Sequence, residues 1–196
     1  MKKNTIAKLA FIVAAALTIN SVAVGQKAYE STTLNIILKG TSSLHDWEMK
    51  AINGNSVVVF ATDSKGVITQ LSKLNFSLAA KSLKSAHKVM DNNTYKALKA
   101  DKNPTISFVM TTGTVTPGSG HTYVINCTGK LSIAGTTRDT DLVAAGKYNP
   151  ADKIFTVTGI KKMKMTDYNV TPPKAMMGTI KTGNDISISY AIKFVK

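Results

Sequence analysis

A chain of 196 residues with a single cysteine is long enough for one domain with a real core and cannot build an internal disulfide framework. Its formal charge of +14 is almost all lysine, Arg138 being the one arginine, and aromatic residues make up only 7%. That composition argues against a nucleic-acid reader, which leans on arginine forks and stacked aromatics, and leaves a solvated basic surface or attraction to anionic lipid headgroups.

The N-terminus reads as a secretory signal. Lys2, Lys3 and Lys8 precede an apolar run from Leu9 to Ile19, and Ala23-Val24-Gly25 supplies small residues for cleavage. The run is too short to span a bilayer comfortably. The expected cut follows Gly25, with Ala23 as the alternative. Residues 1–25 are then the signal and 26–196 one domain, placed in the periplasm or secreted. Removing the signal takes away three lysines and no acids, so the charge falls to +11.

Beyond the signal, period-two alternation dominates. Thr32 to Lys39 is the first strand, with Leu34, Ile36 and Leu38 on one face. Asp46 to Ile52 follows with Trp47, Met49 and Ala51 together, then Ser56 to Ala61 after Asn53-Gly54, a hairpin signal. Val67 to about Lys81 is long, with Leu74, Phe76 and Leu78 on one face. Asp91 to about Asp101 reads as a short helix. There Asp91 is the expected N-cap, Met90 and Tyr95 the expected hydrophobic staple, and Pro104 the stop. Ile106, Phe108 and Met110 then alternate.

Thr122 to Ile133 aligns Tyr123, Ile125, Cys127, Leu131 and Ile133. Cys127 therefore reads as a small buried hydrophobe. Thr137 to Tyr148 is a weaker strand, and Ile154 to Met165 carries Phe155, Val157, Met163 and Met165 on one side. A loop with Pro172-Pro173 and Met176-Met177-Gly178 precedes Asp185 to Lys196, where Ile186, Ile188, Tyr190, Ile192 and Phe194 share a face.

Several of these strands reach ten or more residues, roughly 30 Å. Long alternating strands joined by short turns predict an all-β chain folded as an antiparallel barrel of about eight strands, with one helix inserted near residues 91–101. The inward set is Leu34, Leu38, Trp47, Phe76, Leu78, Phe108, Met110, Tyr123, Ile125, Phe155, Met163, Met165, Tyr190 and Phe194. Pattern alone allows these residues either to fill a dry core or to line one ligand cavity.

Catalytic signals are sparse. His45, His87 and His121 lie in different elements, and neither a nucleophile elbow nor a metal-ligand spacing is present. His45-Asp46 is the single acid–base candidate, and a turn histidine bonded to its neighbours is the competing reading. The chain is therefore expected not to be an enzyme and to need no metal or catalytic cofactor.

Four stretches carry a family resemblance. They are Gly40-Thr41-Ser42-Ser43-Leu44-His45-Asp46-Trp47; Ser82-Leu83 with Met90-Asp91 and Leu98-Lys99-Ala100; Asn103-Pro104-Thr105-Ile106-Ser107-Phe108; and Gly129-Lys130-Leu131-Ser132-Ile133-Ala134-Gly135-Thr136-Thr137. In order and spacing they resemble the YceI-like family of exported, lipocalin-like barrels associated with polyisoprenoid and other lipid-like ligands. The resemblance runs over about residues 32 to 196. Many members carry an arginine and an Asp-Phe-Gly-like run before the last strand; here Lys164-Met165-Thr166-Asp167-Tyr168-Asn169-Val170 and the double proline stand instead.

The resemblance implies an up-and-down barrel whose inward set contacts an amphiphilic lipid, such as an isoprenoid quinone or polyprenyl lipid. It places Tyr168 and Met176 at the mouth as further contacts. Burying about ten methylenes supplies roughly 8 kcal/mol before association costs, and methionines adapt to a flexible chain. A transient contact with an anionic membrane surface is the expected second partner and nucleic acid is not one. The oligomeric state is open, a homodimer among the options. Two other readings stand beside the carrier. A structural barrel, soluble or in the outer membrane, would turn Lys73, Lys130 and Lys193 into a narrow lumen in its membrane form, at high cost. A lipid-acting enzyme rests on His45-Asp46 alone.

Overall fold

The computed structural model describes residues 25–195. The expected signal, residues 1–25, lies outside the described residues apart from Gly25.

The strands are β1 (Gly25–Ser42), β2 (Trp47–Ala51), β3 (Asn55–Thr62), β4 (Ile68–Ala79), β5 (Leu83–Lys84), β6 (Thr105–Pro117), β7 (Thr122–Ile133), β8 (Thr136–Asn149), β9 (Ile154–Lys164), β10 (Lys174–Ala175) and β11 (Ile180–Val195), with helix α1 (Lys88–Ala97) between β5 and β6. Their order is β10-β11-β9-β8-β7-β6-β4-β3-β1-β2-β5, and β11 also pairs with β1. That last pairing closes an antiparallel eight-stranded barrel, with β2, β5 and β10 as additions. Closure removes the sheet edges that long alternating strands would otherwise expose.

β1 is the seam. One edge pairs with β11 from Glu30 to Ser42. The other pairs first with β3, Gly25 to Glu30, and then with β2, Ile36 to Gly40. β2 and β3 both run antiparallel to β1, so Asn53-Gly54 does not reverse the chain as the hairpin signal predicts. A type I′ turn needs positive φ at both residues, and neither has it. Gly54 instead allows close approach: a Cβ there would lie 2.8 Å from Leu34 Cδ2 and 3.2 Å from the Ser77 carbonyl oxygen.

Bulges shift the alternation. The β6–β7 register slips between Met110 and Thr112, so the inward face passes from Phe108 to Val115, both buried. An extra residue in one strand has this effect. A similar slip occurs where β3 meets β4, between Val59 and Phe60.

The helix begins three residues before the expected start. His87 is the N-cap, with extended backbone and no side-chain cap bond. Asp91 is therefore not the cap, and Met90 lies inside the helix, so the staple geometry is lost. The Asp91 carboxylate reaches back instead and accepts from the Ser85 N–H at 2.7 Å and the Ser85 hydroxyl at 2.8 Å. Lys84 Nζ stands 3.8 Å from its other oxygen. The helix ends at Ala97, well before Pro104, because Lys99 turns left-handed at φ 51 and the Ala100 N–H closes on the Tyr95 carbonyl at 2.9 Å.

One end of the barrel is sealed by aromatics. Phe60 and Phe155 are fully buried with centroids 4.8 Å apart, and Tyr29 and Tyr123 pack edge-on or tilted at 5.8 and 5.6 Å. These separations suit edge-to-face attraction. The helix and the segment from residue 165 to 180 sit at the opposite end, the mouth.

Candidate functional site

The barrel interior above the aromatic floor is a cavity of about 460 Å³ with a predominantly apolar lining. That volume falls within the range of small-ligand sites. Strand alternation builds its walls: Ile36 and Leu38 from β1, Phe76 and Leu78 from β4, Phe108 from β6, Ile125 from β7, and Tyr190 and Phe194 from β11.

Three segments frame the mouth. The first is the turn between β1 and β2. There the Ser42 hydroxyl donates to the His45 carbonyl at 2.7 Å and accepts from the Leu44 and His45 N–H groups. The Trp47 indole N–H donates to the Thr41 carbonyl at 2.9 Å, and its ring occupies the space a Gly40 side chain would need. The second is α1, whose Met90, Thr94 and Ala97 face the cavity. The Tyr95 hydroxyl sits 3.0 Å and 2.9 Å from the Lys81 and Leu83 carbonyls, tying the helix to the wall.

The third is the segment after β9. Tyr168 is buried, with its hydroxyl 2.8 Å from Thr140 Oγ1, and Arg138 Nη1 donates to the Asp167 carbonyl at 2.6 Å. Ser43 ties the first segment to the start of β11, its N–H donating to the Lys181 carbonyl at 2.9 Å and its hydroxyl oxygen accepting from the Lys181 N–H at 3.0 Å.

Of the residues expected to contact a ligand, Leu38, Trp47, Phe76, Leu78, Phe108, Ile125, Met163, Met165, Tyr168, Tyr190 and Phe194 line the cavity. The others do not. Tyr123 and Phe155 belong to the floor, packed against each other. Leu34 fills the space beside Gly54, and Met110 sits at the β6 bulge beside Gly113. Met176 is 73% exposed and Met177 fully so.

The sequence reading missed the contribution of α1, since helical periodicity does not say what the helix covers. It also missed Lys161, which lines the cavity at the inward parity of Val157 and Met163. Cys127 lines it too, and burial, with the Asp141 charge as the lesser cause, pushes its thiol up to about 11.

The histidines do not meet. His45 and His87 stand at the mouth, while His121 packs against Tyr148 near the floor. His45 Nδ1 donates to the Asp46 backbone carbonyl at 2.6 Å, the contact of a turn residue. Among the described residues no three metal-ligating side chains converge.

The comparisons agree with this architecture. The chain is similar in structure to BcnA of Burkholderia cenocepacia, with a TM-score of 0.64 and 18% identity over 82% of this chain and 95% of that one. It is similar to a polyisoprenoid binding domain from Saccharophagus degradans implicated in plant cell wall breakdown, with a TM-score of 0.61 and 9% identity over 88% and 98%. A Campylobacter jejuni YCEI protein aligns over 98% and 97% at 17% identity and a TM-score of 0.50. At these identities the likeness concerns the fold. No curated protein matches the chain. The sequence model of the YceI-like domain matches residues 45–194, more than half of the chain, and the protein is therefore a member of the YceI-like family.

Proposed function

We propose that this protein is an exported binding protein that takes an isoprenoid or similar amphiphilic lipid into its barrel and carries or sequesters it. The observation that carries this reading is the apolar cavity of about 460 Å³, walled by strands, floored by aromatics and reached past α1. A chain-like tail gains affinity from apolar burial with few polar contacts. Family membership supports a lipid-type ligand, and the Saccharophagus relative is described as polyisoprenoid binding.

The mouth suits loading at an anionic membrane surface. Lys174 and Lys181 stand directly opposite each other across β10 and β11, and Leu44, Val89, Met176 and Met177 are exposed apolar residues on the neighbouring segments. Clustered lysines add attraction to anionic headgroups, and apolar side chains anchor at the interface.

The test is mass spectrometry of organic extracts from protein purified out of its native host's periplasm. One apolar-chain amphiphile per folded protein is expected. Protein that carries none, and takes up none from added isoprenoid quinone or polyprenyl lipid, is not a carrier of such lipids.

A further inference from the structure

The ladder between β8 and β9 is incomplete. It runs from Asn149 and Ile154 to Ala144 and Gly159 and stops there, although β8 begins at Thr136 and β9 continues to Lys164. Above Ala144 these strands do not share backbone hydrogen bonds, so the exposed β8 carbonyls need other partners. Side chains from the interior supply them. The Tyr190 hydroxyl donates to the Val143 carbonyl at 3.3 Å. Lys161 Nζ donates to the Asp141 carbonyl at 2.8 Å. Both residues also line the cavity.

Lys161 is the unusual member. It is half-buried, on the inward parity of its strand, in a cavity that is otherwise mainly apolar. A charge so placed is costly unless paired. Among the described residues it has no ion pair. The nearby Asp141 carboxylate accepts from the Thr128 hydroxyl at 2.7 Å. An ammonium has three donors, and the Asp141 carbonyl takes one. Burial pushes the Tyr190 phenol up to about 12, so it remains an O–H donor at neutral pH. The Tyr190 hydroxyl commits its one proton to Val143, so the Lys161 ammonium, with two donors left, is the cationic group the split presents to an apolar channel, the arrangement by which a small number of polar groups orients a ligand.

We infer that Lys161 forms a headgroup site at the β8–β9 split, which takes the oxyanion, carboxylate or phosphate, of a single-chain amphiphile whose tail runs down to the aromatic floor. This rests on the carrier reading and gives it a polarity. Lys161 lies six positions along β9 from Phe155, about 20 Å of strand and about 15 Å of depth at a typical barrel tilt. The tail occupies that depth, and the charged head pairs with the two remaining Lys161 donors.

The experiment is titration of delipidated full-length mature protein with farnesyl phosphate and farnesol, which share a tail and differ in head, and with oleate and oleyl alcohol as the carboxylate pair. Wild type should prefer at least one anion over its alcohol by about tenfold or more, the scale of a charge-assisted hydrogen bond; which pair shows it distinguishes phosphate from carboxylate. Lys161→Met should abolish the preference while alcohol binding persists, and Lys161→Arg should retain it. Tyr190→Phe, which removes the hydrogen bond to the Val143 carbonyl and no donor to the ligand, should leave the preference in place. Melting temperature controls for folding. Equal binding of anion and alcohol by wild type, or a preference that survives in Lys161→Met, overturns the headgroup site while leaving the carrier intact. Folded wild type that binds none of the four probes overturns both.

Discussion

Tyr190 and Gly159 face each other directly across β11 and β9, and the tyrosine ring lies where any Gly159 side chain would have to go. The ring passes over the glycine to reach the β8 carbonyl of Val143. One missing methyl group thus lets a side chain from a third strand close the wall where the β8–β9 ladder ends. Gly159→Ala should force the ring out, break that hydrogen bond and cost about 1–3 kcal/mol by overpacking. Chemical denaturation measures the loss. Full stability in Gly159→Ala would mean that the ring has an equally good alternative position.

Asp91 works as a buried acceptor for the loop before α1. Asp91→Ala leaves the Ser85 N–H and hydroxyl without their partner and should cost about 1–3 kcal/mol. Asp91→Asn keeps an oxygen for both donors but loses the charge facing Lys84, so its loss should be smaller. Urea denaturation of both variants decides the matter; equal losses would assign the effect to charge alone.

Phe108 lines the cavity, and its ring packs where a Gly129 Cβ would be, 2.5 Å from the ring carbon. Phe108→Leu should keep the fold and change the amount or chain length of co-purified lipid. Lys130→Ser, on the exterior beside Asp139 at 3.1 Å, should change neither. The readout is lipid per mole of folded protein. Identical lipid content in wild type and both variants would remove Phe108 from the binding surface.

Cys127 is held as a neutral thiol by burial. Its ionisation is raised from 9.0 to about 11, so the thiolate that reacts with alkylating agents is scarce at pH 8. Iodoacetamide should modify native protein at least about tenfold more slowly than urea-unfolded protein. The same shift has a sign for stability. Below pH 9 both states keep the proton and nothing is lost; as pH rises from 9 towards 11 the unfolded thiol ionises first, so stability falls. Cys127→Ala should flatten that decline. An unchanged alkaline slope would place its origin elsewhere.

Export makes a separate prediction. The mature chain should begin at Gln26, which N-terminal sequencing of protein from the periplasm or medium reads directly. Recovery of an intact Met1 chain that requires detergent would overturn the exported carrier.

The barrel, its long strands and most of its inward apolar residues are legible in the sequence because side chains alternate with period two wherever one face is dry. That rule finds Phe76, Leu78, Phe108, Ile125 and Phe194 without any tertiary information. It fails at bulges, where an extra residue resets the parity, and Met110 is lost from the cavity there. It fails at Asn53-Gly54, since a turn signal reports local conformational freedom and the actual constraint is the approach of Leu34 and Ser77. It also cannot tell floor from wall: Phe155 and Phe194 have the same inward parity, but only closure of β11 onto β1 fixes which rings stack against each other. The sequence by itself thus determined the strand pattern and the chemistry of the inner surface. The depth of the cavity, the helix across its mouth and the β8 carbonyl that Lys161 meets were decided by tertiary structure, because each depends on contacts between residues far apart in the chain.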